Sequence, residues 1–451
     1  MSAAAVGTRR ILTIVLIAIP LVMLVIAAAL NLMRVEGAAT KLPWVYTESN
    51  ISALLRARAL TGNDSWYPML AAREWLRVHP GGDVYRALFF DGRVKYQYPD
   101  TSLLLIEGFP ADRAAATRLL NLGNFVLATA NIAGMALLMS ALVDRVRAAG
   151  RTIPVDKSLL VAIAAIATAC FFPLLKALSL GQMQVLLDLL FTFACYFLVR
   201  AKPAWAGALV GLSTLVKPQL GLLLVWAAIR RDWRFAAGMI SVAATGFVVS
   251  LLVYGIHWPL DYVRVLQFLS AHGESHFANQ SVNGLVNRLV GNGVNVSWLG
   301  PSRFAPYNAV VYATTAISSL VFVAVGLASG LRRAGVDQPL GAFLIAGIAF
   351  TLASPVAWQH HFGMLLPAFV FCLVVLAGGS AGRSWPGVML ALTFVVAANS
   401  LAMFNLLADG PLNVLQSYLL FAALGTLVLV AVLARTNRAD SWRMQSAGAS
   451  R

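Results

Sequence analysis

The chain has 451 residues, of which 59% are hydrophobic and only 12% are charged. A soluble domain of this length could not bury so much apolar surface, whereas a lipid bilayer solvates it. The net charge of +16 would suit a nucleic-acid partner, but the basic residues fall mainly between apolar segments. That placement is typical of cytoplasmic loops, so the sequence predicts an all-α polytopic membrane protein and disfavours nucleic-acid binding.

The first apolar run, 11–33, follows a pair of arginines and is too long for a cleaved signal. We expect it to be a retained span, and we expect about 10–13 membrane helices in all, at about 20 residues for each crossing. The other expected spans are 117–143, 157–175, 183–200, 235–255, 307–331, 338–354, 361–378, 385–404 and 413–434.

The apolar run 203–229 differs because Lys217 and Pro218 interrupt it and basic residues flank both ends. Two short helices that meet at Lys217 would keep both basic ends in the cytoplasm, and proline is a natural break. The run 101–110 is too short to span and should enter the membrane obliquely from the outer side. Both termini are then cytoplasmic, and the loops 34–98 and 256–306 lie outside.

The three cysteines, Cys170, Cys195 and Cys372, lie inside apolar runs without CxxC spacing. They are typical of small core side chains, so the sequence predicts neither a disulfide framework nor a metal site.

Polar residues collect in five places that this topology puts on one side of the membrane. They are the loop with Asp64, Tyr67, Arg73, Tyr85, Arg93, Lys95, Tyr98 and Asp100; the turn Gly181-Gln182 with Gln184 and Asp188; Lys217; the segment 272–281 followed by Arg288; and the segment 354–361. Such convergence where spans emerge predicts a cavity at the membrane boundary. A lysine within a broken span is functional by default, whereas Gln184 and Asp188, one helical turn apart, could satisfy each other.

The order of these segments resembles glycosyltransferase family 87, a group of GT-C membrane enzymes that includes polyprenol-phosphate-mannose-dependent mannosyltransferases. The matching residues are Asp64-x-x-Tyr67 with Arg73, Tyr85, Tyr98-Pro99, Gly181-Gln182, Gly211 through Lys217-Pro218, Asn279-Gln280-Ser281 with Arg288, and Ser354-Pro355-x-x-Trp358-x-His360-His361. The chain departs from the family at Asp100, where a second proline is common.

The resemblance implies a single GT-C domain over 1–434, with a basic, disordered cytoplasmic tail over 435–451. The large outer loops would form a cavity on the periplasmic side of a bacterial inner membrane. The donor would be a hexose, foremost mannose, on a polyprenyl phosphate, and the acceptor a lipid or a glycan. This donor is already activated, so the resemblance requires no nucleotide and no metal.

The resemblance also implies roles for individual residues. Asp64 would be the general base of an inverting transfer, because a hydroxyl group needs help to become a nucleophile. His360 would act catalytically near the leaving phosphate, with Lys217, Arg288 and His361 as phosphate ligands and Arg93 and Lys95 behind them. The expected substrate-binding residues are Tyr67, Arg73, Tyr98, Asp100, Gln182, Asn279, Gln280 and Trp358.

Two alternatives stay open at this point. Asp64 precedes an expected helix, so the capping preference of aspartate would explain it without catalysis, and Asp100 could share or replace its work. The whole chain could instead be a transporter or flippase of a lipid-linked or anionic substrate, using Lys217 and Asp188 as intramembrane charges. A transporter should concentrate its polar residues near the midplane of the membrane, whereas this chain places them in loops.

Overall fold

The computed structural model describes residues 48–297, 304–331, 339–379 and 385–448. The helices in these ranges are α1 (Asn50–Ala57), α2 (Trp66–Val78), α3 (Arg113–Ala148), α4 (Lys157–Ala169), α5 (Phe172–Leu180), α6 (Gln184–Val199), α7 (Pro203–Thr214), α8 (Leu222–Arg230), α9 (Trp233–Tyr254), α10 (Trp258–His272), α11 (Val282–Leu289), α12 (Ala309–Leu331), α13 (Pro339–Leu352), α14 (Leu366–Ala377), α15 (Trp385–Ala398) and α16 (Tyr418–Gly448). Short 3₁₀ segments lie at Asp100–Leu105, Pro218–Gly221, Gln359–Leu365, Ala402–Leu407 and Pro411–Ser417, and a π-helical turn lies at Tyr85–Asp91.

The fold is that of a multi-pass membrane protein, which confirms the predicted class. Within the described ranges, five helical stretches are long and apolar enough to cross a membrane, namely α3, α9, α12, Gln359–Ala377 and Pro411–Arg435. The pair α4 and α5, bent by 41°, would be a sixth. This number is smaller than the expected 10–13 because α6, α13, α15 and Pro218–Arg230 are apolar but short. The expected first span, 11–33, lies outside the described residues.

The break predicted within 203–229 is present. Helix α7 ends at Thr214, Lys217 has an extended backbone, and Pro218 opens a 3₁₀ turn that leads into α8. Helix α7 packs closely on α9 through small residues, since a Cβ atom at Gly207 would lie 2.0 Å from the carbonyl oxygen of Phe235. Close backbone approach through glycine is a common way for helices to associate in membranes. Lys217, at the α7–α8 junction, contacts a different helix, since its Nζ donates to Oε1 of Gln184 in α6.

Two buried clusters organise the chain. The larger one joins α3 to α8 with α13 to α16 and consists mainly of aliphatic and phenylalanine side chains. The second one joins α2, the π-helical turn, the segment 96–106 and α10, and it is rich in aromatic residues such as Tyr85, Tyr96 and Tyr262. The loops that carry the polar segments therefore rest on a core of their own.

The last helix, α16, continues to Gly448 and so passes the boundary at residue 434 that was expected to end the domain. Its long apolar part packs against α13 and α15 through residues such as Leu419, Ala423 and Val430, which are all buried.

Candidate active site

Two glycines hold the segment that carries Asp64 against the turn between α5 and α6. A Cβ atom on Gly62 or on Gly181 would lie within 2.5 Å of the other residue's backbone. Gly181 also has a φ of +67°, a conformation that glycine adopts at little cost. The backbone N–H of Asp64 donates to the carbonyl of Leu180 at 2.9 Å. This close contact fixes the position of Asp64 relative to Gln182.

Asp64 is exposed and lies one position before the N-cap of α2. The helix begins at Trp66, and Ser65 occupies the N-cap position without a side-chain capping bond. The N-cap position therefore falls one residue after Asp64, the residue for which a capping role was the alternative. The carboxylate instead accepts a hydrogen bond at Oδ2 from Nε2 of Gln182.

Gln182 connects three of the predicted polar segments. Its Oε1 accepts hydrogen bonds from the hydroxyl groups of Ser65 at 2.6 Å and Tyr98 at 3.2 Å. Those two hydroxyl oxygens are 2.7 Å apart. Burial raises the pKa of Tyr98, and the charge of Asp64 adds to the rise although the Ser65 hydrogen bond opposes it. Tyr98 therefore stays neutral and serves as a hydrogen-bond donor beside Asp64.

Lys217 lies at the end of a second polar chain. Its Nζ donates to Oε1 of Gln184 at 2.6 Å, and Nε2 of Gln184 donates to Oδ1 of Asp188 at 2.7 Å. The expected pairing of Gln184 with Asp188 is thus confirmed. A Cβ atom at Gly363 would lie 1.9 Å from Oδ2 of Asp188, so the segment 359–365 can approach only because this residue is glycine. The contact brings the histidine pair next to the lysine.

The two histidines of that segment point in different directions. The rings of His360 and His361 are 4.6 Å apart and perpendicular, at 89°. Nδ1 of His361 accepts a hydrogen bond from the backbone N–H of Trp358 at 3.2 Å. Nδ1 of His360 is buried and has no hydrogen-bond partner in the described part of the chain. Lys217 lies within electrostatic range of both rings, so Lys217 and at least one imidazole can contact the same anion.

Lys95 and Glu274 form an ion pair that closes the other side of the site. The Nζ–Oε1 distance is 2.5 Å, and Glu274 is completely buried. Nζ of Lys95 also lies 5.4 Å from the centre of the Trp358 ring. Burial raises the pKa of Glu274 against the opposing effect of Lys95, and the charge of Asp64 adds to the rise. Asp64 is therefore close enough to Glu274 for the two carboxylates to repel each other.

A further lysine, which the sequence interpretation overlooked, belongs to the same region. Nζ of Lys176 donates to both carboxylate oxygens of Glu48, at 2.7 and 2.9 Å, and both side chains are buried. Burial, together with the charges of Lys176, Lys95 and Arg288, lowers the pKa of His276 to about 3. His276 is therefore neutral. A charged residue in an apolar helix is a functional signal that could have identified Lys176.

Arg73 and Asp100 are buried beneath the site and do not line it. The guanidinium group of Arg73 donates to the carbonyls of Ile106, Phe109 and Pro110 at 2.7 to 3.0 Å, which holds the loop before α3. Asp100 has no exposed surface, and its Oδ1 accepts from the hydroxyl of Tyr96 at 2.9 Å. An acceptor hydroxyl group therefore has no access to the Asp100 carboxylate in this conformation.

Asn279 and Gln280 join two of the predicted segments to each other. Oδ1 of Asn279 accepts a hydrogen bond from the backbone N–H of Ala357 at 3.0 Å, and the backbone N–H of Gln280 donates to the carbonyl of Ala357 at 2.7 Å. Nε2 of Gln280 donates to the carbonyl of Gln416 at 2.6 Å. Both side chains are fully buried, so the structure gives them backbone partners and brings neither to an open surface.

Arg288 is likewise buried. Its Nη1 donates to the carbonyls of His276 and Asn279 at 3.1 and 3.0 Å, and its Nη2 donates to the hydroxyl of Ser417 at 2.6 Å. A guanidinium group with these bonds organises the loop 275–279 and has few N–H groups left for a phosphate group.

Tyr67 is about half exposed, and its ring lies 6.0 Å from the guanidinium carbon of Arg113.

The result is an exposed carboxylate and a lysine that are bound by neighbouring residues of the α5–α6 turn. Asp64 accepts from Gln182, which also binds Ser65 and Tyr98, and Gln184, two residues further along, binds Lys217. A positioned carboxylate can accept a proton, and fixed cations stabilise a phosphate group that gathers charge. Among the described residues, no group of three or more His, Cys, Asp or Glu side chains is arranged to hold a metal ion.

Comparisons with known proteins identify the family of the chain. The model of glycosyltransferase family 87 matches residues 96–355, which is more than half of the chain and begins after Asp64. A polyprenol-phosphate-mannose-dependent α-(1-2)-phosphatidylinositol pentamannoside mannosyltransferase of Mycobacterium tuberculosis is 26% identical over 45% of this chain and 42% of its own length. The chain thus spans less than half of that relative.

A second relative from Mycobacterium tuberculosis covers more of the chain. It is a polyprenol-phosphate-mannose-dependent α-(1-2)-phosphatidylinositol mannoside mannosyltransferase, 26% identical over 72% of this chain and 73% of its own length. A protein with the same description from Mycolicibacterium smegmatis is 27% identical over 45% of this chain and 44% of its own. No solved structure matches the chain. The predicted resemblance is confirmed, and the protein belongs to glycosyltransferase family 87.

Proposed function

We propose that this protein transfers mannose from a polyprenyl-phosphate mannose donor to a lipid acceptor that carries a sugar. Membership of the family supports the transfer, and the activities of the relatives support the donor and the acceptor class. The observation that carries the proposal is that one turn binds both groups: Gln182 donates to the exposed carboxylate of Asp64, and Gln184, two residues later, accepts from Lys217.

The proposed reaction breaks one bond and forms one. The oxygen of an acceptor hydroxyl group attacks the anomeric carbon of mannose, and the bond from that carbon to the phosphate oxygen breaks. The electron pair of the broken bond leaves with polyprenyl phosphate. The carboxylate of Asp64 takes the proton of the attacking hydroxyl group, which contributes about 10²–10⁴ to the rate. Attack opposite to the leaving phosphate inverts the anomeric configuration.

The cations act on the leaving group. Lys217 contributes a point charge, and His360 and His361 contribute ring N–H groups for the oxygens of the departing phosphate. Lys176 lies within electrostatic range of His360, although its ion pair with Glu48 offsets part of its charge. We assign Arg288, Asn279 and Gln280 to holding the loops in place, because their polar groups have buried partners.

We place the reaction on the outer face of the cytoplasmic membrane. The basic residues of the α3–α4 connection and of the last turn of α3 favour the cytoplasm under the positive-inside rule. The polar segments lie at the opposite ends of these helices, where a lipid-linked donor could enter from the side.

The test uses membranes that contain the full-length protein and labelled polyprenyl-phosphate mannose. We expect label to appear in a lipid fraction and to depend on the protein. Labelled polyprenyl-phosphate arabinose serves as the comparison donor. Transfer from arabinose but not from mannose would reject mannose, and movement of the unreacted donor across the membrane without transfer would favour the flippase alternative.

A further inference from the structure

One side of α10 is apolar although it faces away from the protein. Leu260, Val263 and Leu266 recur every three residues, which places them on the same side of the helix. All three are exposed, Leu260 at 71%, and so is Ile256 just before the helix. A contiguous apolar patch of this kind on a protein surface marks a place where something binds.

The opposite side of α10 is already covered by the protein. Tyr262, Val265 and Leu269 are buried in the second, aromatic cluster. The ring of Tyr262 lies 5.4 Å from that of Tyr85, and its hydroxyl group donates to the carbonyl of Gln97 at 3.2 Å. The helix therefore has two apolar sides, and only one of them has a partner in the described part of the chain.

Both ends of α10 lie where membrane-crossing helices end or begin. Helix α9, which can cross a membrane, ends at Tyr254, and α10 begins at Trp258. At the other end of α10, Nδ1 of His272 lies 3.0 Å from the carbonyl oxygen of Ala305, and the His272 ring lies 6.4 Å from that of Tyr307. Tyr307 comes just before α12, the next helix that can cross.

The connection between α9 and α12 stays on one side of the membrane. Its two helices, α10 and α11, have 15 and 8 residues. At about 1.5 Å per residue, α10 is about 22 Å long, which is less than the ~30 Å of the hydrocarbon core. Since neither helix can cross, α9 ends and α12 begins at the same face of the membrane. A helix with both ends at that face lies along it.

Trp258 shows how close the first turn of α10 lies to the membrane. Its ring packs edge-on against that of Phe247, with the centroids 5.7 Å apart. Phe247 lies two helical turns before the end of α9. The start of α10 therefore folds back beside α9, at the boundary depth where tryptophan is enriched.

The exposed side of α10 continues the lipid-facing surface of α9. Val248, Leu252 and Val253 are exposed in the last turns of α9, and Ile256 connects them along the chain to Leu260. Because α9 can cross a membrane, lipid covers its exposed apolar side chains. The continuity of the two surfaces gives the apolar side of α10 the same partner.

We propose that α10 is an interfacial helix that rests on the bilayer surface where α9 emerges. Ile256, Leu260, Val263 and Leu266 insert at the boundary between the lipid headgroups and the acyl chains. Through the contact of Tyr262 with Gln97, the helix joins this lipid surface to the segment that leads into Tyr98. The inference goes beyond the proposed transfer and does not depend on it.

The test measures the membrane depth of two positions on the helix. Leu260→Cys and Leu266→Cys are made separately in the full-length chain with Cys170→Ala, since Cys170 is exposed whereas the other two cysteines are buried. Each variant is labelled with the fluorophore NBD in lipid nanodiscs. We expect lipids with a nitroxide near the headgroup end of the acyl chain to cause an equal loss of emission at both positions, whereas iodide in the buffer causes little loss.

Leu252→Cys and Arg86→Cys, in the same background, are the matched controls. Both residues are exposed, but Leu252 belongs to α9 and Arg86 is a charged residue of the π-helical turn. The nitroxide lipids should quench the label at Leu252, and iodide should quench the label at Arg86. These two controls define the signals of lipid and of water in the same protein.

Three results would overturn the proposal. Iodide quenching at Leu260 and Leu266 as strong as at Arg86 would place the helix in water. Nitroxide quenching at Leu260 but not at Leu266 would mean that the helix leaves the membrane surface. Labels shielded from both quenchers would mean that protein covers the patch, and disulfide cross-linking between unlabelled Leu260→Cys chains would identify that protein as a second copy.

Discussion

Gln182 donates a hydrogen bond to the carboxylate of Asp64 although the two residues are 118 positions apart. The same side chain accepts from Ser65 and Tyr98, so a single amide links the loop before α2, the segment before residue 100 and the α5–α6 turn. Since this amide donates with one end and accepts with the other, its orientation is fixed by its partners. The direction of the Asp64 carboxylate depends on it.

Replacement of Gln182 by alanine should lower kcat about ten-fold without unfolding the protein. The carboxylate of Asp64 would remain but would lose the group that orients it, and a misplaced base transfers protons less well. Steady-state kinetics with labelled donor measure the effect. Asn63→Ala is a suitable control because Asn63 is an exposed neighbour of Asp64. An unchanged kcat in Gln182→Ala would show that the orientation does not matter.

Lys217→Met should lower kcat about 10²-fold, the usual effect of removing one group that stabilises developing charge. Lys217 faces Gln184 and lies within range of both histidines, whereas Lys202 is an exposed lysine at the start of the same broken segment. Lys202→Met should therefore behave as the wild type. An equal decrease of kcat in Lys217→Met and Lys202→Met would point to a general effect of surface charge.

Asp100→Asn should keep transfer activity and stabilise the protein at alkaline pH. Burial raises the pKa of Asp100 to about 7. The folded protein then holds a proton that the unfolded chain releases, so the free energy of unfolding falls as the pH rises from about 4 to about 7 and is constant above. The asparagine side chain needs no proton.

Thermal unfolding at pH 5 and pH 8 tests this assignment. The variant should exceed the wild type by about 2–4 kcal/mol at pH 8 and by clearly less at pH 5. A variant that loses transfer activity while it stays folded would mean that Asp100, and not only Asp64, takes part in the chemistry.

Arg288→Ala should destabilise the protein by about 3 kcal/mol, because buried carbonyl groups at residues 275–279 would lose their donor. The expected signature is a lower melting temperature with an unchanged KM for the donor in the fraction that stays folded. Arg58→Ala removes an exposed arginine and should have no effect on either quantity. A raised donor KM at an unchanged melting temperature would restore Arg288 as a phosphate ligand.

The sequence was sufficient to find the polar segments, because polar residues are rare enough in this chain to be conspicuous. Asp64, Gln182, Lys217 and His360 were selected on that basis and the structure brings them to one region. Sequence alone could not tell which polar groups face an open site. Arg288 is an example, since one of its partners, Ser417, is 129 positions away and belongs to a segment without any recognised motif.

The number of spans was harder to predict for a different reason. Hydropathy measures composition over a window, whereas crossing a membrane also requires a continuous helix of sufficient length. Helices α6 and α13 are strongly apolar but have 16 and 14 residues. The Lys176–Glu48 pair was missed because Lys176 directly follows the expected span 157–175, whereas Glu48 is 128 positions away in the outer loop 34–98.

Asp64→Asn provides the most direct test of the central claim. The variant keeps the size of the side chain and can still accept a hydrogen bond from Gln182, but it cannot take up a proton. We expect transfer from labelled polyprenyl-phosphate mannose to fall by at least about 10²-fold, with normal membrane insertion and thermal unfolding. Asp91→Asn, at an exposed aspartate of the same loop region, should transfer at the wild-type rate. Full activity in Asp64→Asn would contradict the assignment of Asp64 as the base.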